Sequence, residues 1–306
     1  MKLPDFLGIG TQKGGTTYVY ELLRQHPQVF MAAPKEQHFF TLHWQQGADW
    51  YRNQFSLATS DQICGEVTPY YLFHPEAPRR IHSLMPTAKF IVLLRDPVER
   101  ALSQYFHSRR LGFEELSLED ALAAEPQRLG DSDDVLASGR PHKSHQQHSY
   151  VSRGRYEQQV NRFKQFFSDQ QLLLMRSEQL FDQPDAAWEK LLQFLGLNAV
   201  RCPDLRPVYA GAGESATVSP DIRNHLRHQL NSTYLWMEDI QVPPNSSCSL
   251  CAVASQTSAF LELIYTFAPL ARKPAAIISP MPRDPPVTKA TFSSIENKFF
   301  MTLLDN

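Results

Sequence analysis

The chain has 306 residues, of which 42% are hydrophobic and 20% are charged. This composition is typical of a globular protein and excludes the low-hydrophobicity, high-charge signature of disorder. The 30 basic and 32 acidic residues nearly balance, so the chain has no net positive field to attract nucleic acid or an anionic membrane. Any anion that it binds must therefore be held by local groups.

Cysteine usage and the apolar segments indicate the compartment. Four cysteines are too few for a disulfide framework, and the pair Cys248 and Cys251 has no second metal-ligand pair. The N-terminus runs directly into a core-like segment, and the longest late apolar run, residues 259–270, is too short to span a bilayer. These features predict a cytoplasmic protein without a membrane span or a metal site.

Short apolar runs without alternation predict strands that are buried on both faces. They are Phe6–Gly10, Lys89–Arg95 and Gln171–Arg176. Helical periodicity predicts helices over Thr17–Gln25, Val98–Ser108, Tyr156–Phe167 and Asp185–Leu195, the last of them ended by Gly196. The alternation of strands and helices predicts an α/β fold in three layers, with a central parallel sheet flanked by helices.

Charge and composition change along the chain. Residues 114–134 hold eight acids and one base, whereas residues 138–155 hold four Arg or Lys, three His and no acid. Either these stretches form a solvated helix and a polar loop, or the basic stretch lines a substrate site. Residues 241–306 contain eight of the 22 prolines and no glycine. We therefore expect one domain over residues 1–240 and a divergent, poorly packed or disordered Pro/Ser-rich tail after it.

A glycine-rich segment, Gly10-Thr-Gln-Lys-Gly-Gly-Thr-Thr17, follows the first predicted strand and opens the first predicted helix. In this context backbone N–H groups point at an anion, although the segment could also be an ordinary strand-to-helix turn. In the pattern G-x-x-x-x-G-K-[ST], Thr16 stands where the triphosphate-binding lysine belongs, and the lysine is at position 13. Its displacement argues against an ATPase and favours a shorter anion. The predicted anion-binding residues are Lys13, Gly14, Gly15, Thr16 and Thr17.

A second candidate anion contact follows the strand that ends at Leu94. The strand delivers Arg95 at its carboxyl end, the edge at which α/β sheets bind ligands, and Pro97 starts a helix. Ser103 lies one to two turns into that helix, so the Arg95 guanidinium and the Ser103 hydroxyl could hold one phosphate. The alternative is a structural turn made by Arg95 and Asp96.

These elements occur with further ordered motifs. The motifs are Lys35-Glu-Gln-His-Phe-Phe, Gly47-Ala-Asp-Trp-Tyr, Glu66-Val-Thr-Pro-Tyr-Tyr, Pro75-Glu-Ala-Pro-Arg-Arg-Ile, Leu94-Arg-Asp-Pro-Val-Glu-Arg-Ala-Leu-Ser and Phe194-Leu-Gly-Leu. Over roughly residues 5 to 240 the chain resembles the sulfotransferases that use 3′-phosphoadenosine 5′-phosphosulfate (PAPS), especially the heparan sulfate sulfotransferase-like branch with its bacterial relatives. The resemblance implies a P-loop-type fold and transfer of a sulfuryl group from PAPS to a hydroxyl or amine of an acceptor.

The resemblance also implies roles for the site residues. Residues Lys13 to Thr17 would hold the 5′-phosphosulfate, and Arg95 with Ser103 the 3′-phosphate. Glu36 stands at the position of the catalytic base, and Lys13 would stabilise the leaving group. His38 could orient the base, contact the acceptor or replace Glu36, or it could be a polar residue packed beside the following phenylalanines. No Mg²⁺ is required, because PAPS lacks adjacent β and γ phosphates.

Some positions depart from the family pattern. Val67 stands where heparan-type members commonly carry lysine, and Gly211-Ala-Gly213 replaces a basic element that adds contacts to the 3′-phosphate. Tyr209 is a candidate for stacking on adenine. A saccharide, a lipid or a carrier-bound acyl chain would all suit as acceptor. The residues nearest to that choice are Arg79, Arg80, Tyr70, Tyr71 and the basic loop 140–155.

Two further functions compete with PAPS-dependent transfer. One is a P-loop nucleotide kinase or NTPase, which predicts Mg²⁺-dependent ATP binding. The other is a degenerate member of the sulfotransferase fold that binds nucleotide without turnover, which the intact Glu36 argues against.

Overall fold

A computed structural model describes residues 2–205 and 213–240. The predicted tail over residues 241–306, the cysteine pair at positions 248 and 251, and Tyr209 lie outside the described residues, as does Gly211.

The described part is built on a sheet of five parallel strands. The strands are β1 (Phe6–Gly10), β2 (Val29–Met31), β3 (Ile63–Val67), β4 (Lys89–Leu94) and β5 (Leu172–Arg176). Their order across the sheet is β2-β3-β1-β4-β5. The three predicted strands are confirmed, whereas β2 and β3 were not predicted.

Thirteen α-helices occur among residues 2–205 and 213–240. They are α1 (Thr16–Arg24), α2 (Gly47–Asn53), α3 (Tyr70–Phe73), α4 (Ala77–Leu84), α5 (Pro97–Arg110), α6 (Leu118–Arg128), α7 (Ser132–Ala137), α8 (Lys143–Gln147), α9 (Tyr156–Lys164), α10 (Ser177–Asp182), α11 (Pro184–Leu195), α12 (Pro220–Gln229) and α13 (Asn231–Asp239). The four predicted helices correspond to α1, α5, α9 and α11. Gly196 ends α11 in the left-handed conformation, with φ 75°, as its position after the last apolar residue predicts.

The sheet separates two hydrophobic cores because neighbouring residues of a strand point to opposite faces. Leu7 of β1 packs in one core with Phe163 of α9, and Phe6 packs in the other with Leu191 of α11. Both faces of the central strands are thus buried, which explains their uninterrupted apolar runs. The predicted three-layer α/β fold is confirmed.

The topology fixes where a ligand site can form. From β1 the chain continues to β2, at one edge of the sheet, and from β4 it continues to β5, at the opposite edge. The direction of the connections therefore reverses between β1 and β4. Open parallel sheets bind ligands outside the carboxyl ends of the strands at such a reversal. The glycine-rich segment and Arg95 follow these two strands directly, so the fold brings both to the reversal.

Candidate functional site

The candidate site lies at the carboxyl edge of the sheet, where segments that follow all five strands meet. The glycine-rich loop follows β1, Glu36 follows β2, Thr68 follows β3, Arg95 follows β4 and Ser177 follows β5. These residues are far apart in sequence, so the parallel sheet alone brings them to one edge.

The glycine-rich loop has the geometry of an anion cradle. Gly15 is the residue before α1 and has φ 93°, a conformation that favours glycine, and no side chain caps the first turn of the helix. The N–H groups of that turn are therefore suited to an anion. A Cβ at Gly14 would lie 2.6 Å from the Thr11 hydroxyl oxygen and 2.9 Å from the Leu93 carbonyl oxygen, so only glycine fits there.

Side chains from three parts of the chain hold this loop. The Thr11 hydroxyl donates to the Leu93 carbonyl at 2.8 Å, and the Ser177 hydroxyl donates to the Gly14 carbonyl at 2.7 Å. The Arg95 guanidinium donates to the Lys13 carbonyl at 3.1 Å. Lys13 itself has a positive φ of 69°, a conformation that a non-glycine residue keeps only when its surroundings hold it. The loop is thus fixed before any ligand binds.

Arg95 and Asp96 both make structural contacts, as the alternative to phosphate binding proposed. The Asp96 carboxylate caps α5 by accepting from the Glu99 N–H at 2.9 Å and from the Tyr234 hydroxyl at 2.8 Å. The Arg95 side chain instead reaches the glycine-rich loop. Ser103 is half-buried on α5. Contact of Arg95 and Ser103 with a phosphate stays a prediction.

Glu36 lies in a compact charged cluster with its neighbours. Its carboxylate contacts the Lys35 ammonium at 2.5 Å and lies 3.5 Å from the His38 imidazole. Burial opposes ionisation of Glu36, but Lys35 and His38 outweigh it and lower the pKa of the carboxyl to about 2. Glu36 is therefore a carboxylate throughout the neutral pH range.

The backbone around Glu36 forms a turn and is not extended. Glu36 and His38 both have positive φ, 67° and 53°, and the Glu36 N–H donates to the carbonyl of Val67 at 3.1 Å. The turn still brings the two side chains together. The His38 ring lies beside Tyr70, at 6.1 Å between centroids, and its Nδ1 is 3.2 Å from the Thr41 hydroxyl.

Beneath this turn lies a buried carboxylate that supports it. Glu66 of β3 accepts from the hydroxyls of Tyr51 at 2.6 Å, Tyr71 at 2.8 Å and Thr68 at 3.0 Å. Burial raises the pKa of Glu66, and the three hydroxyl donors counteract part of that rise. Because Tyr71 is completely buried and bonded to Glu66, it is not exposed to an acceptor in this structure.

Arg79 and Arg80 were candidates for acceptor binding, and the structure gives both of them partners. Arg80 is buried and donates to the main-chain carbonyls of Phe40 and Thr41. Arg79 is exposed and pairs with Glu76 at 2.5 Å. Arg80 thus supports the segment that follows Glu36, and a substrate contact is left open only for Arg79.

The acidic stretch is only partly a solvated surface. Most of its acids are exposed, but Glu114 is buried and accepts from Arg128 at 2.6 Å and from the Tyr150 hydroxyl at 2.8 Å. Glu125 is buried as well and accepts from the N–H groups of Val151 and Ser152 at 2.7 and 2.8 Å. These two acids anchor the segment that follows α8, so the simple alternative of a solvated helix is wrong for them.

The basic stretch also contributes to the interior. Arg140 and Lys143 are exposed, whereas Arg153 is 2% exposed and His145 is 4% exposed. The Tyr70 hydroxyl is 2.8 Å from Nδ1 of His145. Neither alternative for this stretch, a polar loop or a substrate-lining loop, anticipates that Arg153 and His145 are buried beside Tyr70.

His107 is a site residue that the sequence analysis missed. It lies on α5, four residues after Ser103. Burial, reinforced by the charges of Lys13 and Arg110 and opposed by Glu36, lowers the pKa of His107 to about 4. The His107 ring is therefore neutral at neutral pH and lies within electrostatic reach of Lys13 and Glu36. A histidine at helical spacing from Ser103 was the available signal.

An aromatic pair borders the glycine-rich loop and was also missed. The rings of Tyr18 and Phe181 are 5.4 Å apart, and Phe181 is 42% exposed. A Cβ at Gly15 would lie 3.0 Å from the Phe181 ring. An exposed aromatic face next to an anion cradle suits a flat heterocycle joined to a phosphate.

The described residues contain neither a metal-ligand cluster nor a membrane-spanning helix. No group of three or more His, Cys, Asp or Glu is arranged to hold a metal ion in residues 2–205 and 213–240. In the same ranges, no helix has both the length and the apolar character needed to cross a bilayer.

Comparison with known proteins decides the family. The sulfotransferase domain profile matches residues 3–204. The chain belongs to the sulfotransferase domain family. Human heparan sulfate glucosamine 3-O-sulfotransferase 6 is 34% identical over 201 residues, which are 65% of this chain and 54% of that protein. The membrane-associated sulfotransferase kil1 of Dictyostelium discoideum is 42% identical over 109 residues, which are 35% of this chain and 23% of that protein.

The fold agrees with that assignment. The crystal structure of a sulfotransferase from Alicyclobacillus acidocaldarius superposes with a TM-score of 0.60 at 25% identity and covers 77% of this chain and 92% of the other. This sulfotransferase-family chain matches about half the length of the 3-O-sulfotransferase and about a quarter of kil1. The resemblance that the motifs indicated is therefore confirmed at the level of the family and of its heparan sulfate sulfotransferase-like branch.

Proposed function

We propose that this chain is a PAPS-dependent sulfotransferase that moves the sulfuryl group to an acceptor hydroxyl or amine, most simply on a saccharide. The observation that carries the proposal is the anion cradle with its lysine at position 13, at the same edge of the sheet as an ionised Glu36. A triphosphate-binding P-loop has its lysine at the position of Thr16. The displaced lysine and the family assignment both favour a donor with one 5′-phosphate.

The residues present fit such a donor. The uncapped first turn of α1 and the Gly14–Gly15 cradle suit the 5′-phosphate and the group attached to it. The Arg95 guanidinium suits the 3′-phosphate. We propose the Tyr18–Phe181 pair as the surface for the purine. The donor, when bound, supplies an activated sulfuryl group on a phosphate oxygen.

Glu36 is suited to accept the proton of the acceptor. As the acceptor oxygen forms its bond to sulfur, its proton passes to the Glu36 carboxylate, and the bond between sulfur and the 5′-phosphate oxygen breaks. The Lys13 ammonium stabilises the charge that develops on the leaving phosphate. By analogy with phosphoryl transfer, the transfer is in line. His38, 3.5 Å from Glu36, is suited to orient the carboxylate.

The ion pair of Glu36 sets a condition on this mechanism. A carboxylate held by Lys35 at 2.5 Å is a weak base, and general bases work best with a pKa near the working pH. The acceptor hydroxyl must therefore displace Lys35 from Glu36. We infer that acceptor binding strengthens the base.

The choice of a saccharide rests on the relatives. The human protein is named for heparan sulfate glucosamine. Lipid and acyl acceptors also carry a hydroxyl group, so turnover on them is to be compared directly with turnover on saccharides. The cytoplasmic localisation, the division into a domain over residues 1–240 and a tail after it, and the absence of a metal requirement stay predictions from the sequence.

The experiment is a comparison of ligands by thermal shift, followed by turnover. The purified chain is heated with 3′,5′-adenosine bisphosphate (PAP), with ADP, and with ATP plus Mg²⁺. We expect a higher Tm with PAP alone, because a ligand that binds the native state raises Tm by mass action. The Arg95→Ala variant should lose that rise, and Arg24→Ala, which removes an exposed arginine of α1, should keep it.

Turnover then tests the base. With PAPS and a panel of saccharide, lipid and acyl acceptors, Glu36→Gln should bind PAP as the unchanged chain does and lose turnover. A Tm rise only with ATP and Mg²⁺ would refute the proposal in favour of a kinase or NTPase. PAP binding without turnover on any acceptor would indicate a degenerate member.

A further inference from the structure

Arg153 is a buried cation that has no carboxylate partner among the described residues. Its guanidinium donates to the main-chain carbonyls of His145 and Gln146 at 2.9 and 3.0 Å. It also lies over the rings of Tyr70 and Phe73, at 5.2 and 4.9 Å from their centroids. A buried charge without an ion pair is costly, so this arrangement calls for a reason beyond packing.

Among residues 2–205 and 213–240, the one side-chain acceptor of Arg153 belongs to the glycine-rich loop. The guanidinium donates to the Gln12 side-chain oxygen at 2.5 Å. Gln12 directly precedes Lys13 and lies 141 residues from Arg153 in sequence. Arg153 therefore ties the loop to the segment that follows α8.

The contact also fixes which end of the Gln12 carboxamide is free. A guanidinium has donors only, so it selects the carboxamide oxygen, and the NH₂ group must point away from it. Gln12 is half-exposed, and no acceptor is found for its NH₂ group in the described part of the chain. Arg153 thus presents two N–H donors beside Lys13.

The position of the pair indicates which part of the donor it faces. Arg95 contacts the loop from the β4 side, where we propose that the 3′-phosphate binds. Arg153 contacts it from the side of Tyr70, whose ring is 6.1 Å from that of His38. Through Arg153, Gln12 is thus tied to the side of the loop that carries Tyr70 and His38, the residue beside Glu36, and the proposed function places the sulfur on that side.

We propose that Gln12 is a further catalytic residue, whose carboxamide NH₂ group donates to an oxygen of the sulfuryl group, and that Arg153 is the positioning residue that holds it. This inference rests on the proposed function. The hydrogen bond forms with a group that PAPS carries and PAP lacks. The two nucleotides therefore separate the role of Gln12 from that of the rest of the cradle.

The test compares affinity for PAPS and for PAP in matched variants. Gln12→Ala should weaken PAPS binding about tenfold, as expected for one hydrogen bond to a charged group, and should leave the PAP affinity within threefold. Gln12→Glu keeps an oxygen for Arg153 but replaces the NH₂ group by a carboxylate oxygen. It should lose at least as much PAPS affinity as Gln12→Ala.

Arg153→Met should also weaken PAPS binding and spare PAP binding, because Gln12 is then no longer held in place. Because the two residues act as a unit, the double variant Gln12→Ala/Arg153→Met should bind PAPS no more than threefold worse than Arg153→Met alone.

Arg100→Met is the matched control. Arg100 is also buried without an ion pair among the described residues, but it donates to Gln104 and to the carbonyl of Tyr150. Its loss should lower stability and spare the PAPS preference.

The results separate this proposal from the proposed function. Where the unchanged chain binds neither PAPS nor PAP, the proposed function fails, and this inference fails with it. Where the unchanged chain binds both and Gln12→Ala keeps its PAPS preference, only this inference is overturned. If the double variant Gln12→Ala/Arg153→Met loses as much PAPS affinity as the two single variants lose together, the positioning role of Arg153 is overturned. Should Arg153→Met not fold, the two Gln12 variants still decide the role of Gln12.

Discussion

Removing the buried charge of Glu114 should destabilise the fold by about 3 kcal/mol at neutral pH. In Glu114→Gln the side chain keeps its shape, but the carboxylate that pairs with Arg128 is lost. That carboxylate is 1% exposed. It accepts from both terminal nitrogens of Arg128, at 2.6 and 3.2 Å, and from the Tyr150 hydroxyl at 2.8 Å.

The magnitude follows from the pKa of this carboxyl. Burial opposes ionisation of Glu114, but the hydrogen bonds from Arg128 and Tyr150 outweigh it and lower the pKa from 4.5 to about 2. Each pKa unit corresponds to about 1.36 kcal/mol, so the ionised form stabilises the native state by about 3 kcal/mol. Because the folded-state pKa is depressed, this stability is present above about pH 5 and is lost as the pH falls toward 2.

The assay is urea unfolding at pH 7 and at pH 3.5. We expect Glu114→Gln to reduce the free energy of unfolding by about 3 kcal/mol at pH 7 and by clearly less at pH 3.5. The control is Glu115→Gln, a change at the exposed neighbouring acid, which should change stability by less than about 0.5 kcal/mol. A difference below about 1 kcal/mol at pH 7, or one that is equal at both pH values, would refute the reasoning.

Two substitutions and one titration also test the site. Gly14→Ala should lose the Tm rise with PAP, because a Cβ there would lie 2.9 Å from a main-chain carbonyl oxygen; a retained rise would contradict the cradle geometry. Tyr71→Phe should lower the free energy of unfolding by about 1 to 3 kcal/mol in urea, since the buried Glu66 loses a donor; no loss would argue against that network. An NMR titration should find the His107 pKa below 5, since burial and Lys13 favour the neutral ring; a value above 6 would show that the ring is solvated.

The sequence predicted the central strands well and missed the short ones for a physical reason. β1, β4 and β5 are apolar on both faces, and continuous apolar runs are a clear local signal. β2 has only three residues, and β3 contains Glu66, a polar residue that strands rarely bury. Glu66 is tolerated because three hydroxyls from other segments donate to it, which no local pattern shows.

The residues of the candidate site also divide into those that local motifs predicted and those that they did not. The glycine-rich loop, Arg95 and Glu36 were found from motifs that are contiguous in the chain. Ser177 was missed, and Arg153 was included only as part of the basic loop 140–155. Both hold the glycine-rich loop, but their contacts with it are 163 and 141 residues away in sequence. Whether the predicted residues bind PAPS stays a prediction.

By itself, the sequence determined the fold class and predicted the anion cradle, because periodicity and turn chemistry depend on residues close together in the chain. Its ordered motifs indicated the family by resemblance. Only the tertiary structure decided which charged side chains are buried and what they contact. The basic stretch around Arg153 shows the difference: its composition is that of a solvated loop. Folding places its guanidinium over two aromatic rings and against Gln12, where the desolvated charge can serve the site.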